Sequence, residues 1–167
     1  EPTSGLATFL WAAPAGTLAA LVFGASETGA IALLPLYGTA IGLDTMGAVS
    51  LVSIFVLGNV LFQIPIGMIA DRIDRRWVLL FCASVGASGM AVMALVPLGL
   101  TGLMALLFVW GGIVAGLYTV GLAHLGSRFR GADLAQANAA FVVMYSIGLI
   151  VGPPLAGAGM DLWPPHG

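Results

Sequence analysis

A single carboxylate, Glu27, stands well inside the apolar runs of this 167-residue chain. A charge at the centre of a membrane helix costs roughly 2.5–3.5 kcal/mol on insertion scales, so such a group faces a cavity or takes up a proton. Its helical neighbours Ala20, Gly24 and Ala30 are small, which lets another helix or a water-filled path come close. Two chemistries fit Glu27. One is a proton carrier or binder of a cationic substrate; the other is a structural glutamate hydrogen-bonded between helices.

Other polar residues are few. Asn59, Gln63 and Gly67 follow one another at four-residue steps, so they form one polar or small stripe on a helix, pointing toward Asp71. The stripe reads as cavity lining or, more plainly, as a hydrogen-bond seam between helices. Tyr118, Asn138 and Tyr145 are further candidates for a substrate or proton pocket, with packing as the alternative. Asp71, Arg72, Asp74, Arg75 and Arg76 crowd into six residues between two apolar runs. This cluster can hold a loop on one side of a membrane. It can also act as a gate in which Asp71 accepts hydrogen bonds from arginines or from a facing helix N-terminus. No nucleophile–base pair, phosphate loop or cysteine pair occurs, and His124 and His166 are too far apart for a metal motif. The expectation is no enzyme, no cofactor and no metal; the lone Cys82 reads as a small buried hydrophobe.

The elements that must position these groups follow from composition. The chain is 60% hydrophobic and only 7% charged, against about 25% charged in soluble domains. It reads as an all-α integral membrane protein. Five apolar segments, about 14–36, 45–70, 77–96, 103–123 and 134–155, are each long enough to cross a bilayer. Residues 1–13 read as a linker or interfacial segment, 14–161 as a transmembrane bundle, and 162–167 as a truncated tail. There is no lysine, and all five arginines lie in 72–76 and 128–130. Such clustering disfavours nucleic-acid binding, which needs a broad basic face. With five spans, both arginine-bearing loops fall on one side. Basic loops stay in the cytoplasm, which puts the N-terminus inside and the C-terminus of this chain outside.

An internal repeat is visible. Gly58-x8-Gly67-x3-Asp71 returns ninety residues later as Gly148-x8-Gly157-x3-Asp161. A pair Leu36-Tyr37 returns eighty-one residues later as Leu117-Tyr118. Spans one to three would form one unit, and spans four and five would begin a second, inverted one. The sixth span is then missing, through fragmentation or natural truncation.

The run Gly58-x8-Gly67-x3-Asp71-Arg72-x-Asp74-Arg75-Arg76 resembles the cytoplasmic loop motif of major facilitator superfamily permeases. Asp74 stands where that motif has glycine, and aspartate tolerates left-handed backbone better than most residues. Gly116-Leu-Tyr-Thr-Val-Gly-Leu-Ala, Asp133-Leu-Ala-Gln-Ala-Asn138 and Tyr145-Ser-Ile-Gly148 resemble helices ten and eleven of bacterial drug- and sugar-efflux-like members. Together with the absence of an arginine from the fourth span, this favours the C-terminal over the N-terminal half. Gly148, Gly152, Pro153 and Gly157 also resemble the glycine–proline packing motif of the fifth helix in antiporters. The resemblance implies five helices of a six-helix half-bundle with a 3+3 inverted repeat. It implies a secondary active transporter of a small organic solute working by alternating access, proton-coupled if Glu27 carries the proton. Its partners would be membrane lipids, the solute and the other transporter half, and its site a bacterial inner membrane. The competing expectation is a non-transporting accessory subunit of a larger membrane complex.

Overall fold

The computed structural model describes residues 11 and 13–164. The linker expected over 1–13 therefore lies almost wholly outside the described residues, as do His166 and the end of the tail. Among the described residues five membrane-length helices follow in order: α1 (Pro14–Ala40), α2 (Thr45–Ala70), α3 (Arg75–Leu95), α4 (Leu100–Arg128) and α5 (Gly131–Leu162). Each is long and apolar enough to cross a membrane, because long unbroken apolar runs can satisfy their backbone in lipid only as helices.

Local chemistry sets the ends. Pro14 opens α1, where its missing N–H costs nothing. Asp44 caps α2 by accepting the Gly47 N–H at 2.9 Å, after a turn in which Gly42 takes φ +90°. Asp74 caps α3, accepting the Arg76 N–H at 2.9 Å with φ −55°. The left-handed backbone expected at position 74 is thus absent; aspartate is there as a helix cap. Helices α1, α4 and α5 overrun the spans expected at 14–36, 103–123 and 134–155, while α2 coincides with 45–70.

The largest overrun has a visible cause. Pro153 and Pro154 lie inside α5, where each removes a backbone donor. Pro153 leaves the Leu149 carbonyl without its usual partner four residues on. The single O–H of Thr28 on α1 is shared between Gly24 O of its own helix, 2.7 Å away, and this Leu149 O, 3.1 Å away, and so meets it in part. Neighbouring serine and threonine side chains commonly satisfy freed carbonyls in membrane helices.

Packing is organised by two interfaces, α1 on α5 and α2 on α4, with α4 also touching every other helix. They are one interface used twice. A Cβ on Gly58 would strike the Phe108 carbonyl, and one on Gly148 the Leu21 carbonyl. Gly111 lies against the Phe55 carbonyl as Gly24 lies against that of Tyr145. Gly112 meets Phe62 as Ala25 meets Gly152, and Gly116 meets Ile66 as Gly29 meets Ala156. The rings Phe55–Trp110, 5.5 Å apart, answer Tyr145–Phe23, 6.0 Å apart. In every pair α2 maps to α5 by ninety residues and α1 to α4 by eighty-seven. The Gly58–Gly148 echo is therefore in register. The Leu36-Tyr37 echo is not, because its spacing of eighty-one is six residues short of the packing relation. Small residues let the backbones approach closely, which drives helix association where lipid removes the hydrophobic advantage.

Candidate functional site

Glu27 finds a partner on α5. The Tyr145 hydroxyl donates to Glu27 Oε2 at 2.7 Å, a distance typical of a strong O–H···O bond. Both side chains are half-buried. Gly24, one turn before Glu27 on the α5-facing side of α1, leaves room for the Tyr145 backbone. The two helices can then meet closely enough for the side chains to bond.

Aromatic rings surround this pair. Phe23 stacks on Tyr145 at 6.0 Å with 14° between planes and sits 5.7 Å from Tyr118. Tyr118, on α4, meets Tyr145 edge-on at 5.2 Å and Phe141 at 5.1 Å. Three of the six residues expected from sequence, Glu27, Tyr118 and Tyr145, thus meet at the junction of α1, α4 and α5. Sequence reading missed Phe23 and Thr28, although both lie within a helical turn of Glu27. The other three residues stand apart. Asn138 is on the Tyr145 face of α5 two turns earlier, half-buried, and its Oδ1 has no hydrogen-bond partner. Asn59 is buried and Gln63 exposed, and Gln63 Nε2 donates to Asn59 Oδ1 at 2.9 Å. That bond stays within α2, so it is not a seam between helices. Gly67, the third member of the stripe, has nothing within 4 Å of where a Cβ would sit.

The arginines all lie at helix ends or in turns. No guanidinium is at hand in the apolar interior beside Glu27. The aromatic ring faces beside it suit a cation as well. An apolar cavity of ≈ 390 Å³ lies nearby, between Ser26 and Tyr37 of α1, Met90 and Met93 of α3, Trp110, and Met160 of α5. Glu27 does not line it.

In the charged turn Asp71 caps the end of α2 and is exposed; Arg75 Nη2 lies 3.3 Å from its Oδ1. Asp74 is occupied by the α3 cap. Gly58 and Gly148, Gly152 of the two repeated motifs are buried at helix crossings, Pro153 is half-buried, and Gly157 has open space beside it. Among the described residues no group of three or more histidine, cysteine or acidic side chains gathers in a way that could hold a metal.

Against known proteins, the family model described as Major Facilitator Superfamily matches residues 16–167. The Bacillus subtilis (strain 168) protein YfkF, an uncharacterized MFS-type transporter by name, is 26% identical over 135 residues, which covers 81% of this chain and 34% of YfkF. The Enterobacter sp. (strain 638) protein Ent638_1421, named likewise, is 31% identical over 121 residues, 72% of this chain and 31% of that protein. The chain therefore spans about a third of the length of these relatives. No solved structure matches it significantly.

Proposed function

The chain belongs to the Major Facilitator Superfamily, a family of membrane transporters rather than enzymes, and from that premise we propose that it forms one wall of a secondary active transporter for a small organic solute. Transport would be by alternating access, with the solute held near the midplane between this bundle and a second one. The second bundle would be the other half of the same polypeptide or another copy. The arginine-bearing turns would lie in the cytoplasm, as basic loops do, and the N-terminus of the chain would then be inside and its C-terminus outside. The resemblance of α4 and α5 to helices ten and eleven supports the C-terminal half.

The observation that carries the proposal is the Glu27–Tyr145 hydrogen bond in a bundle whose lysine-free chain keeps every arginine at a helix end or in a turn. Ionised Glu27 bears roughly 2.5–3.5 kcal/mol of insertion cost, and a hydrogen bond to a charged group returns about 1.5–3 kcal/mol. The hydrogen bond offsets much of that cost, which supports a carboxylate held here to receive a proton or a cationic solute. Tyr145 would release or hold the carboxylate as α5 moves against α1. The turn containing Asp71, Arg72, Asp74, Arg75 and Arg76 would gate the cytoplasmic side by bonding across to the other half.

The test is uptake driven by an imposed pH gradient in vesicles containing the full transporter. Glu27→Gln should abolish the gradient-driven component while downhill solute exchange persists. Gradient-driven uptake equal to wild type in this variant would remove Glu27 from the coupling mechanism.

A further inference from the structure

The two repeats differ at one helix crossing. By the shifts of eighty-seven and ninety residues, the α1–α2 pair corresponds to the α4–α5 pair. Gly38 of α1 lies directly on α2, where a Cβ would come within 2.8 Å of the Ala48 Cα and 3.2 Å of the Leu51 side chain. The corresponding residues are Leu125, Asn138 and Phe141. Leucine and asparagine in place of glycine and alanine hold the backbones apart, and α4 touches α5 far less than α1 touches α2. The separation is set by side chains of α4 and α5 themselves, whatever packs on the outer face of α1.

Polar chemistry occupies the widened crossing. Asn138 stands two turns in from the arginine end of α5, and its Oδ1 is buried without a hydrogen-bond partner. Bound water is a common partner for such an atom. Tyr145, which holds Glu27, lies about 10 Å further along the same helix at 1.5 Å per residue. Phe141 falls between them on one face, three residues from Asn138 and four from Tyr145. It is fully buried, with its ring 5.1 Å from that of Tyr118 and 3.1 Å from the Cβ position of Gly121 on α4. An apolar ring between two polar positions shuts out water, as hydrophobic constrictions gate by dewetting. We propose that the α4–α5 crevice is the proton entry from the arginine end to Glu27, with water held at Asn138 and the Phe141 ring as the plug that swings aside. A proton from the water side then adds to the Glu27 carboxylate. The inference rests on the reading of Glu27 as a coupling group. Titratable neighbours of the path are Tyr118 of α4 and Tyr145 of α5 beside Glu27. Toward its mouth they are His124 and Arg128 of α4, and Arg130 and Asp133 at the head of α5.

The test uses the full transporter in vesicles. In a Cys82→Ala background, Asn138→Cys should react with a small charged methanethiosulfonate severalfold faster than Ala137→Cys, its buried neighbour, because the reactive thiolate needs water. Equal rates overturn the water entrance. Phe141→Ala should raise proton flux down an imposed pH gradient severalfold in the absence of solute, and Phe141→Leu should raise it much less. Adding Glu27→Gln to Phe141→Ala should remove the increase. No increase in Phe141→Ala overturns the plug, and an increase that survives Glu27→Gln overturns the route to Glu27. Should Phe141→Ala fail to fold, Asn138→Leu decides: gradient-driven uptake should fall severalfold more than solute binding. Unchanged uptake, or parallel loss of uptake and binding, overturns the entry path. The coupling role of Glu27 fails separately, by wild-type uptake in Glu27→Gln alone. A defect in Glu27→Gln beside an unreactive Asn138→Cys removes only the crevice.

Discussion

Gly58 and Gly148 hold the same position in two different interfaces. Gly58 lets α2 lie against the Phe108 carbonyl of α4, and Gly148 lets α5 lie against the Leu21 carbonyl of α1. A methyl group at either site would overlap main chain, which cannot rotate away. Gly58→Ala and Gly148→Ala should each destabilise the bundle by about 1–3 kcal/mol, the usual cost of overpacking, read as a lowered midpoint of thermal unfolding in detergent. Gly67→Ala is the control. Nothing lies within 4 Å of its Cβ position, and alanine favours the helix by about 1 kcal/mol over glycine, so this variant should unfold no earlier than wild type.

Tyr145→Phe keeps the ring that stacks on Phe23 and removes only the donor to Glu27. Stability should fall by about 1–3 kcal/mol or less, because a half-buried carboxylate loses one bond. If the bond controls Glu27, gradient-driven uptake should fall much further than binding of the solute. Parallel losses in uptake and binding would mean that the tyrosine only packs.

The Thr28 hydroxyl shares its one proton between the Gly24 carbonyl and the Leu149 carbonyl that Pro153 leaves without a backbone donor. Thr28→Val preserves shape and removes the shared donor from the Leu149 carbonyl, which should cost about 1 kcal/mol in unfolding free energy. Thr28→Ser should recover most of the loss. Combining Thr28→Val with Pro153→Ala, which restores the backbone donor, should cost less than the two changes taken separately.

Asp74 sits where the loop motif resembled has glycine, and its role is to cap α3. Asp74→Ala should lower stability by about 1 kcal/mol and Asp74→Gly by only a few tenths, the usual ranking at a helix N-cap. Had position 74 needed left-handed backbone, the order of the two variants would also favour glycine, but Asp74→Asn would then be tolerated through its backbone alone. As a cap, asparagine should work because its side-chain oxygen still accepts the Arg76 N–H. Amide exchange at Arg76 distinguishes the cases: protection should survive in Asp74→Asn and fall in both Asp74→Gly and Asp74→Ala.

Much of the fold was legible because lipid imposes a simple rule. Low charge and long apolar runs allow only spanning helices, so their number and approximate places follow from residue types read one at a time. The charged turn at 71–76 and the ninety-residue echo of Gly58 are legible for the same reason: charge and glycine are conspicuous against an apolar background. Glu27 stood out likewise as a lone acid among apolar neighbours. What it bonds to was not legible, since Tyr145 lies 118 residues away and nothing in either segment names the other. The partner depends on how α1 crosses α5, and that crossing is set by glycine contacts made in three dimensions. The same holds for the repeat. Matching letters suggested spacings of both ninety and eighty-one, and only packing decided that α1 corresponds to α4 by eighty-seven. Helix existence is a local property of solvent and composition. Helix register, the rescue of Pro153 by Thr28, and the meeting of Glu27, Tyr118 and Tyr145 are properties of close contact, which chain order does not encode one residue at a time.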